Sequence, residues 1–259
     1  MTGLAPELRD RIERLARAGH VLVAMDFDGT LAPFVDVPDE ARPLKASARA
    51  MAELQDMEDT DLALVSGRGL DSLRLVASPG DRTLLVGSHG AERYAPPEFQ
   101  ADEEQAQLTP AQAQLLVEVL AALNDVAQAY PEVWVEAKPA GAVMHTRRAS
   151  AQDGPAAIRA GDVALDRLAG VTVTPGKNVS EAAVLPADKG QGLNWAREVS
   201  DASAVVFAGD DRTDEDAFAV LGPQDVGIKV GPGPTKAKFR VDGPGDVAEL
   251  LQLLVDVRG

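Results

Sequence analysis

Short unbroken apolar runs alternate along much of this chain with stretches whose apolar positions recur every three or four residues. Residues 6–18, PELRDRIERLARA, put Leu8, Ile12 and Leu15 on one helical face. HVLVAM follows, a run of the kind that makes a strand buried on both faces. A helical stretch, ARPLKASARAMAELQDM, leads to a second such strand, DTDLALVSGR, which ends at Ser66. LDSLRLVAS reads as a helix and RTLLVGSHG as a third strand. From residue 189 the pattern repeats: helix KGQGLNWAREV, strand ASAVVFAG, helix TDEDAFAVL, strand VGIKV and a closing helix over 246–255. This alternation predicts an α/β fold around a parallel sheet.

The middle breaks the rhythm. PPEFQADEEQ is polar and proline-rich, as a hinge or loop would be, and LTPAQAQLLVEVLAALNDVAQAY is a helix. Thr109 suits its N-cap, Pro110 its first position and Gln112 the return bond of a capping box. Leu115, Leu116, Val119, Leu120, Leu123 and Val126 form its apolar stripe. Two strands, VWVEAK and AVMHTRR, are joined by Pro139-Ala140-Gly141. A helix over about 153–168 and a further hairpin in GVTVTPGKNVSEAAVLP complete an insertion over 93–185, between core segments 1–92 and 186–259.

A length of 259 residues approaches the ceiling for one hydrophobic core, so a core with an inserted smaller domain fits. The absence of cysteine excludes disulfides and thiolate metal sites. The first twenty residues carry Glu7, Asp10 and Glu13 and no continuous apolar stretch, so they do not form a signal peptide. No apolar run approaches the roughly 20 residues that span a bilayer, and the cytoplasm is the expected location. A net charge of −16 makes nucleic acid and membrane poor partners. An anionic small substrate would need a local positive centre, such as a metal ion with placed lysines or arginines. No long apolar seam demands a dimer, so a monomer is expected.

Ligands of open α/β sheets sit beyond the carboxyl ends of the strands. Four features fall there: Asp26 and Asp28 after the first strand, Ser66 after the second, Lys189 opening a helix, and Asp210, Asp211 and Asp214 after AVVFAG. Side chains two apart on an extended segment share a face. Asp26 and Asp28 can therefore point into one site, where bare carboxylates would raise one another's pKa. A Mg²⁺ ion, which prefers oxygen ligands, removes the conflict, and Asp210 or Asp211 would close its shell from the other strand. Carboxylates, Mg²⁺ and phosphate oxygens together suggest phosphoryl chemistry. In that reading Asp26 attacks phosphorus and becomes an aspartyl-phosphate. Asp28 protonates the leaving alkoxide and later deprotonates the attacking water. Ser66 and Lys189 hold the phosphoryl oxygens, Lys189 from a helix N-terminus, and Gly29 lets the chain turn after the second Asp. Taken singly, each piece has a plainer reading as a turn, a cap or a surface charge; their shared placement argues for a site.

DFDGT (26–30), Ser66, Lys189 and GDDRTDEDAF (209–218) resemble the four motifs of the haloacid dehalogenase phosphatase superfamily. The resemblance implies a Rossmann-like core, Mg²⁺, Asp26 as nucleophile and Asp28 as acid/base and backbone metal ligand. It implies Asp210 as a further ligand, with Asp211 and Asp214 as additional candidates, and Gly67 beside Ser66 and Lys189 at the phosphate. More narrowly, DGTLAPFVDVPDEARP, VSGR, VGSHGAERY, VEAKPAGAVMHTRR, TPGKNVSE and ADKG are similar to the trehalose-6-phosphate phosphatases, over most of residues 21–220. That implies hydrolysis of trehalose 6-phosphate in trehalose biosynthesis, with 93–185 as the α/β cap that closes over the sugar. Arg68, His89, Glu136, Lys138, His145, Arg147, Lys177 and Glu181 are the substrate-binding candidates.

The insertion can also be read physically. Trp134, Glu136 and Lys138 share one strand face, and Val143, His145 and Arg147 share a face of the next strand. Aligned, Glu136, Lys138, His145 and Arg147 would offer donors and acceptors to a disaccharide, with Trp134 along a sugar face and the opposite sheet face on the Thr109 helix. One departure stands out: many relatives place Arg-Pro shortly before the motif lysine, and here the sequence reads EAAVLPADKG. Phosphatases of sucrose or glucosylglycerol phosphate, a phosphomutase, and a non-catalytic sugar-phosphate-binding regulatory subunit are the alternatives.

Overall fold

The apolar run Val21–Met25 (β1) is buried along its whole length and lies at the middle of a seven-stranded sheet. The computed structural model describes residues 3–101, 108–176, 178–185 and 187–259. On one side of β1 lie Thr60–Val65 (β2), Thr83–Gly87 (β3) and Glu92–Tyr94 (β4); on the other lie Ala204–Gly209 (β9), Val226–Val230 (β10) and Phe239–Val241 (β11). The strand order is β11-β10-β9-β1-β2-β3-β4. All pairs are parallel except the antiparallel β3–β4 edge. Strand alternation divides the core. Val21, Val23 and Met25 pack with Pro6–Ala16 (α1), Lys45–Gln55 (α2), Leu70–Ala77 (α3) and Pro244–Arg258 (α8). Leu22 and Ala24 pack with Lys189–Ser200 (α6) and Asp214–Ala219 (α7). The result is three layers, and the parallel register brings the ends of β1, β2 and β9 to one edge.

The chain divides into two units, Met1–Glu104 with Ala187–Gly259, and Gln105–Pro186. Arg93 and Tyr94 pair with Val86 and Leu85, so these residues, which the hydropathy pattern leaves in the insertion, extend the first unit's sheet. Strands this short and only half-buried carry no periodicity to read, and β11 escapes for the same reason.

The second unit is a four-stranded antiparallel sheet in the order β5-β6-β8-β7, from Trp134–Lys138 (β5), Gly141–His145 (β6), Thr172–Gly176 (β7) and Val179–Ala183 (β8). Pro110–Gln128 (α4) begins with the capping box expected of Thr109 and Gln112. Val119 and Leu123 of α4 pack with Ala142 and Met144 of β6, Ala182 of β8 and Leu165 of Asp153–Leu165 (α5). One face of the sheet is thereby covered by helices, which leaves the odd-even partner set of β5, β6 and β8 on the other face. Among the described residues no helix is long and apolar enough to cross a membrane.

Candidate active site

The sheet's carboxyl edge gathers charge into a buried place. Lys189, the first residue of α6, is 1% exposed. Its Nζ donates to Asp26 Oδ1 at 2.8 Å and to Asp214 Oδ1 at 2.7 Å, and lies 3.8 Å from Asp211 Oδ1. The helix starts there because the Asp188 carboxylate caps it, accepting from the Gln191 N–H at 2.8 Å. Asp26 is fixed from the neighbouring strand, its N–H donating to Ala208 O at 2.9 Å. Just after β1, Gly29 turns with φ at 80°, and a Cβ there would overlap the Asp210 carboxylate and come 2.8 Å from the Phe34 ring. Glycine thus serves both the left-handed turn and the close approach of the two acidic loops.

Carboxylate oxygens of Asp26, Asp210 and Asp214 lie within 4.8 Å of one another, a spacing that could hold a metal ion. Asp211 stands at the edge of this group: its Oδ1 also accepts from Thr213 N–H and Oγ1, both at 2.8 Å, and from Asp214 N–H at 3.0 Å, closing the turn into α7. Lys229, 4% exposed at the end of β10, donates from Nζ to the Asp210 carbonyl. Four carboxylates thus stand near two ammonium groups, Lys189 on the carboxylates and Lys229 on a backbone carbonyl.

Burial dominates the protonation of this cluster. Desolvation pushes Asp26 up to about 7 against the pull of Lys189. It pushes Asp210 up to about 7, helped by Asp214 and Asp211, and Asp214 up to about 8. Asp211 moves the other way: burial opposes its charge, but Lys189 and the bonds from Thr213 and Asp214 outweigh it and hold the carboxyl well below its usual range. The amine of Lys189 is raised well above its ordinary value, because Asp26, Asp214 and Asp211 outweigh its burial.

Beside this cluster, Asp28 is gripped by Arg68 in a two-point fork, Nε to Oδ2 at 2.6 Å and Nη2 to Oδ1 at 2.8 Å. The same guanidinium donates to Pro38 O at 2.9 Å and Ser72 Oγ at 3.2 Å and sits 5.5 Å from the centre of the Phe27 ring. Ser66, 1% exposed, accepts the Arg68 N–H on its Oγ at 3.1 Å. His89 lies against Gly67, where a Cβ would come 2.6 Å from its Nε2. It does so from a left-handed backbone, φ 54°, a conformation that costs a non-glycine residue on the order of 1 kcal/mol.

The second unit carries a polar cluster on the uncovered sheet face. Glu136 meets Lys138 Nζ at 3.0 Å and His145 Nε2 at 2.9 Å. Arg147 Nη2 lies 3.5 Å from His145 Nδ1, so the network assigns a ring that donates from Nε2 and accepts at Nδ1. The bond from His145 is the main cause that pulls Glu136 down to about 2, with Lys138 adding to it against partial burial. Trp134 stacks on His145, ring centres 4.8 Å apart and planes at 9°, and Arg148 stands 5.1 Å over the indole. Glu181 of β8 pairs in register with Val143 between β6 and β7.

The trehalose-phosphatase family model matches residues 24–245. The chain belongs to the trehalose-phosphatase family. The trehalose-phosphate phosphatase of Mycobacterium avium is 36% identical in an alignment 252 residues long that covers 92% of this chain and 62% of that one. The chain therefore spans less than two thirds of that curated relative's length. Two solved structures share the fold. The Aspergillus fumigatus trehalose-6-phosphate phosphatase (crystal form 3) superposes with a TM-score of 0.67 over 99% of both chains at 24% identity. The C-terminal domain of the Candida albicans trehalose-6-phosphate phosphatase does so with a TM-score of 0.79 over 99% of this chain and 98% of that one, at 20% identity.

Within this trehalose-phosphatase frame, the structure brings together Asp26, Asp210, Asp214 and Lys189, and places Asp28, Ser66, Gly67, Arg68 and His89 around the neighbouring loops. Arg68, expected at the sugar, has its donors on Asp28, Pro38 and Ser72. Trp134, expected along a sugar face, is stacked on His145. Arg147 lies past the end of β6, which stops at His145, so it reaches the cluster from a turn rather than from the strand. Lys177 lies outside the described residues. Two groups escape sequence reasoning. Lys229 left a signal, a lysine inside the apolar run VGIKV that is buried throughout; Arg148 left none, because nothing in the strand pattern separates it from Arg147.

Proposed function

We propose that this chain is a Mg²⁺-dependent phosphatase that hydrolyses trehalose 6-phosphate to trehalose and phosphate through an aspartyl-phosphate on Asp26. The observation that carries the reading is the buried Lys189, bonded at once to Asp26 and Asp214 beside Asp210. The donor set fits a hard dication: it is all oxygen, and a divalent charge would offset the desolvation that raises these three carboxyls. Without an ion, burial raises Asp26 and Asp210 to about 7, which disfavours the charged form a nucleophile needs. Asp26, Asp210 and Asp214 would hold Mg²⁺, which supplies positive charge against the phosphoryl oxygens.

The protein's own groups then divide the work. Lys189 holds Asp26 Oδ1, which leaves Oδ2 as the oxygen available to attack phosphorus. Ser66, the Gly67 backbone and Lys189 bind phosphoryl oxygens at the sheet edge. Asp28 donates a proton to the leaving sugar oxygen, which departs as the alcohol, and then takes one from the water that attacks the phospho-aspartate. Arg68 sets the starting position of Asp28. The polar face with Glu136, Lys138, His145, Arg147 and Glu181 recognises the sugar hydroxyls, with Lys177 as a further candidate from its place in TPGKNVSE.

Phosphate release from a panel of sugar phosphates, with Mg²⁺ and with EDTA, tests both halves. Preference for trehalose 6-phosphate and loss in EDTA are expected. One feature opens the choice of sugar: EAAVLPADKG departs from the Arg-Pro that the family resemblance implies before the motif lysine. Sucrose and glucosylglycerol phosphates therefore belong in the panel, and a preference for either would replace trehalose 6-phosphate.

A further inference from the structure

Ser88, His89 and Gly90, just after β3, have successive positive φ angles of 46°, 54° and 110°. Side chains other than glycine rarely adopt this region, and two together need support from their surroundings. The support is visible. The Ser88 and His89 N–H groups donate to Arg68 O at 2.8 Å and Ser66 O at 3.0 Å. Ser88 Oγ donates to Glu92, and Gly90 O accepts from Arg93 Nε at 3.2 Å. The imidazole of His89 rests against Gly67. Gly90 approaches the Asp188 carbonyl so closely that any Cβ would overlap it, and a Cβ on Gly192 of α6 would meet the Gly90 Cα at 3.4 Å.

One turn thus touches both elements that carry groups proposed for the phosphoryl oxygens: the Ser66–Arg68 loop, and the start of α6 with Lys189. We infer that Ser88–Gly90 is a spacer that sets the separation of these two elements, and that His89 is a positioning residue acting through Gly67 rather than a group that touches the sugar. The left-handed backbone is what lets three residues fill the gap; an extended turn would not lay a ring on Gly67 while its own amides bond to Ser66 and Arg68. The inference rests on the phosphatase reading above.

The test uses the full chain with Mg²⁺ and titrates inorganic phosphate by calorimetry, beside kinetics on trehalose 6-phosphate. His89→Gly removes the ring and keeps the backbone accessible; His89→Phe restores a flat ring over Gly67. The glycine variant should bind phosphate about tenfold more weakly, equivalent to about 1.4 kcal/mol, and the phenylalanine variant should recover most of it. Gly67→Ala should weaken phosphate binding in the wild type and far less in the His89→Gly background, because the clash partner is gone. Unchanged phosphate affinity in His89→Gly, with a raised KM for the sugar phosphate, would overturn the positioning role. Equal loss in the glycine and phenylalanine variants would also overturn it. A wild-type chain that binds no phosphate would bring down the phosphatase reading and this role together.

Discussion

The acidic cluster of the first unit and the polar sheet face of the second are built from similar parts under opposite solvation. Each bonds a carboxylate to a lysine: Asp26 to Lys189 at 2.8 Å, Glu136 to Lys138 at 3.0 Å. Yet Asp26 is pushed up to about 7 and Glu136 pulled down to about 2. The first carboxylate is 4% exposed, so desolvation outweighs its partner; the second keeps 45% of its side chain in solvent, so the bond from His145 prevails. Burial leaves the first cluster short of positive charge, a condition a bound dication relieves. Exposure leaves the second already satisfied by its neighbours, which suits bonds that exchange with sugar hydroxyls at little net cost. The clusters proposed for chemistry and for recognition thus differ in how much water each carboxylate keeps.

The largest test of this contrast is Asp26→Asn, which should lower turnover by about 10⁴-fold or more with circular dichroism unchanged. Activity near that of the wild type would remove Asp26 from the nucleophile's place. Lys189→Met should follow, because it strips the buried acids of their partner; a stability loss of roughly 3 kcal/mol by urea titration is expected. On the other unit, Glu136→Gln should raise KM for the sugar phosphate about tenfold while affinity for inorganic phosphate stays unchanged. A fall in phosphate affinity there would erase the division between the two regions.

The pH dependence of the metal-free chain sharpens the contrast further. Asp26, Asp210 and Asp214 have folded pKa values raised from 3.8 to about 7, 7 and 8. The folded state therefore holds protons the unfolded chain has released, and stability falls as pH rises from about 4 through 8. In EDTA the Tm should drop across that window, and Mg²⁺ should restore more of it at pH 8 than at pH 5; equal restoration at both would contradict the proposed ligands. The smallest effect is Arg148→Ala, which removes a cation over Trp134 and should cost about 0.5 kcal/mol of stability in thermal unfolding.

Much of this was legible in the chain. The central strands are continuous apolar runs, and β1, β2, β3, β9 and β10 are buried from end to end as such runs require. The Thr109 capping box is read from residues three apart and forms as written. Asp26 and Asp28 share a strand end, but no spacing reveals what holds Asp28 there. Arg68, forty residues away in sequence, takes both oxygens of Asp28. The place of Asp211 is set locally yet just as invisibly, by which carboxylate of the pair Asp210-Asp211 closes the α7 turn.

By itself the sequence determined the parallel α/β core, the inserted helix-and-hairpin unit, and which acids and lysine stand at strand and helix ends. Those features follow from periodicity and capping, which act between residues close along the chain. Only the tertiary structure decided that Lys189 is buried among Asp26, Asp211 and Asp214, that Lys229 braces the Asp210 loop, and that Trp134 supports His145. Each of these is a contact whose strength depends on how much solvent the fold removes, and desolvation belongs to the packed whole rather than to any local stretch of residues.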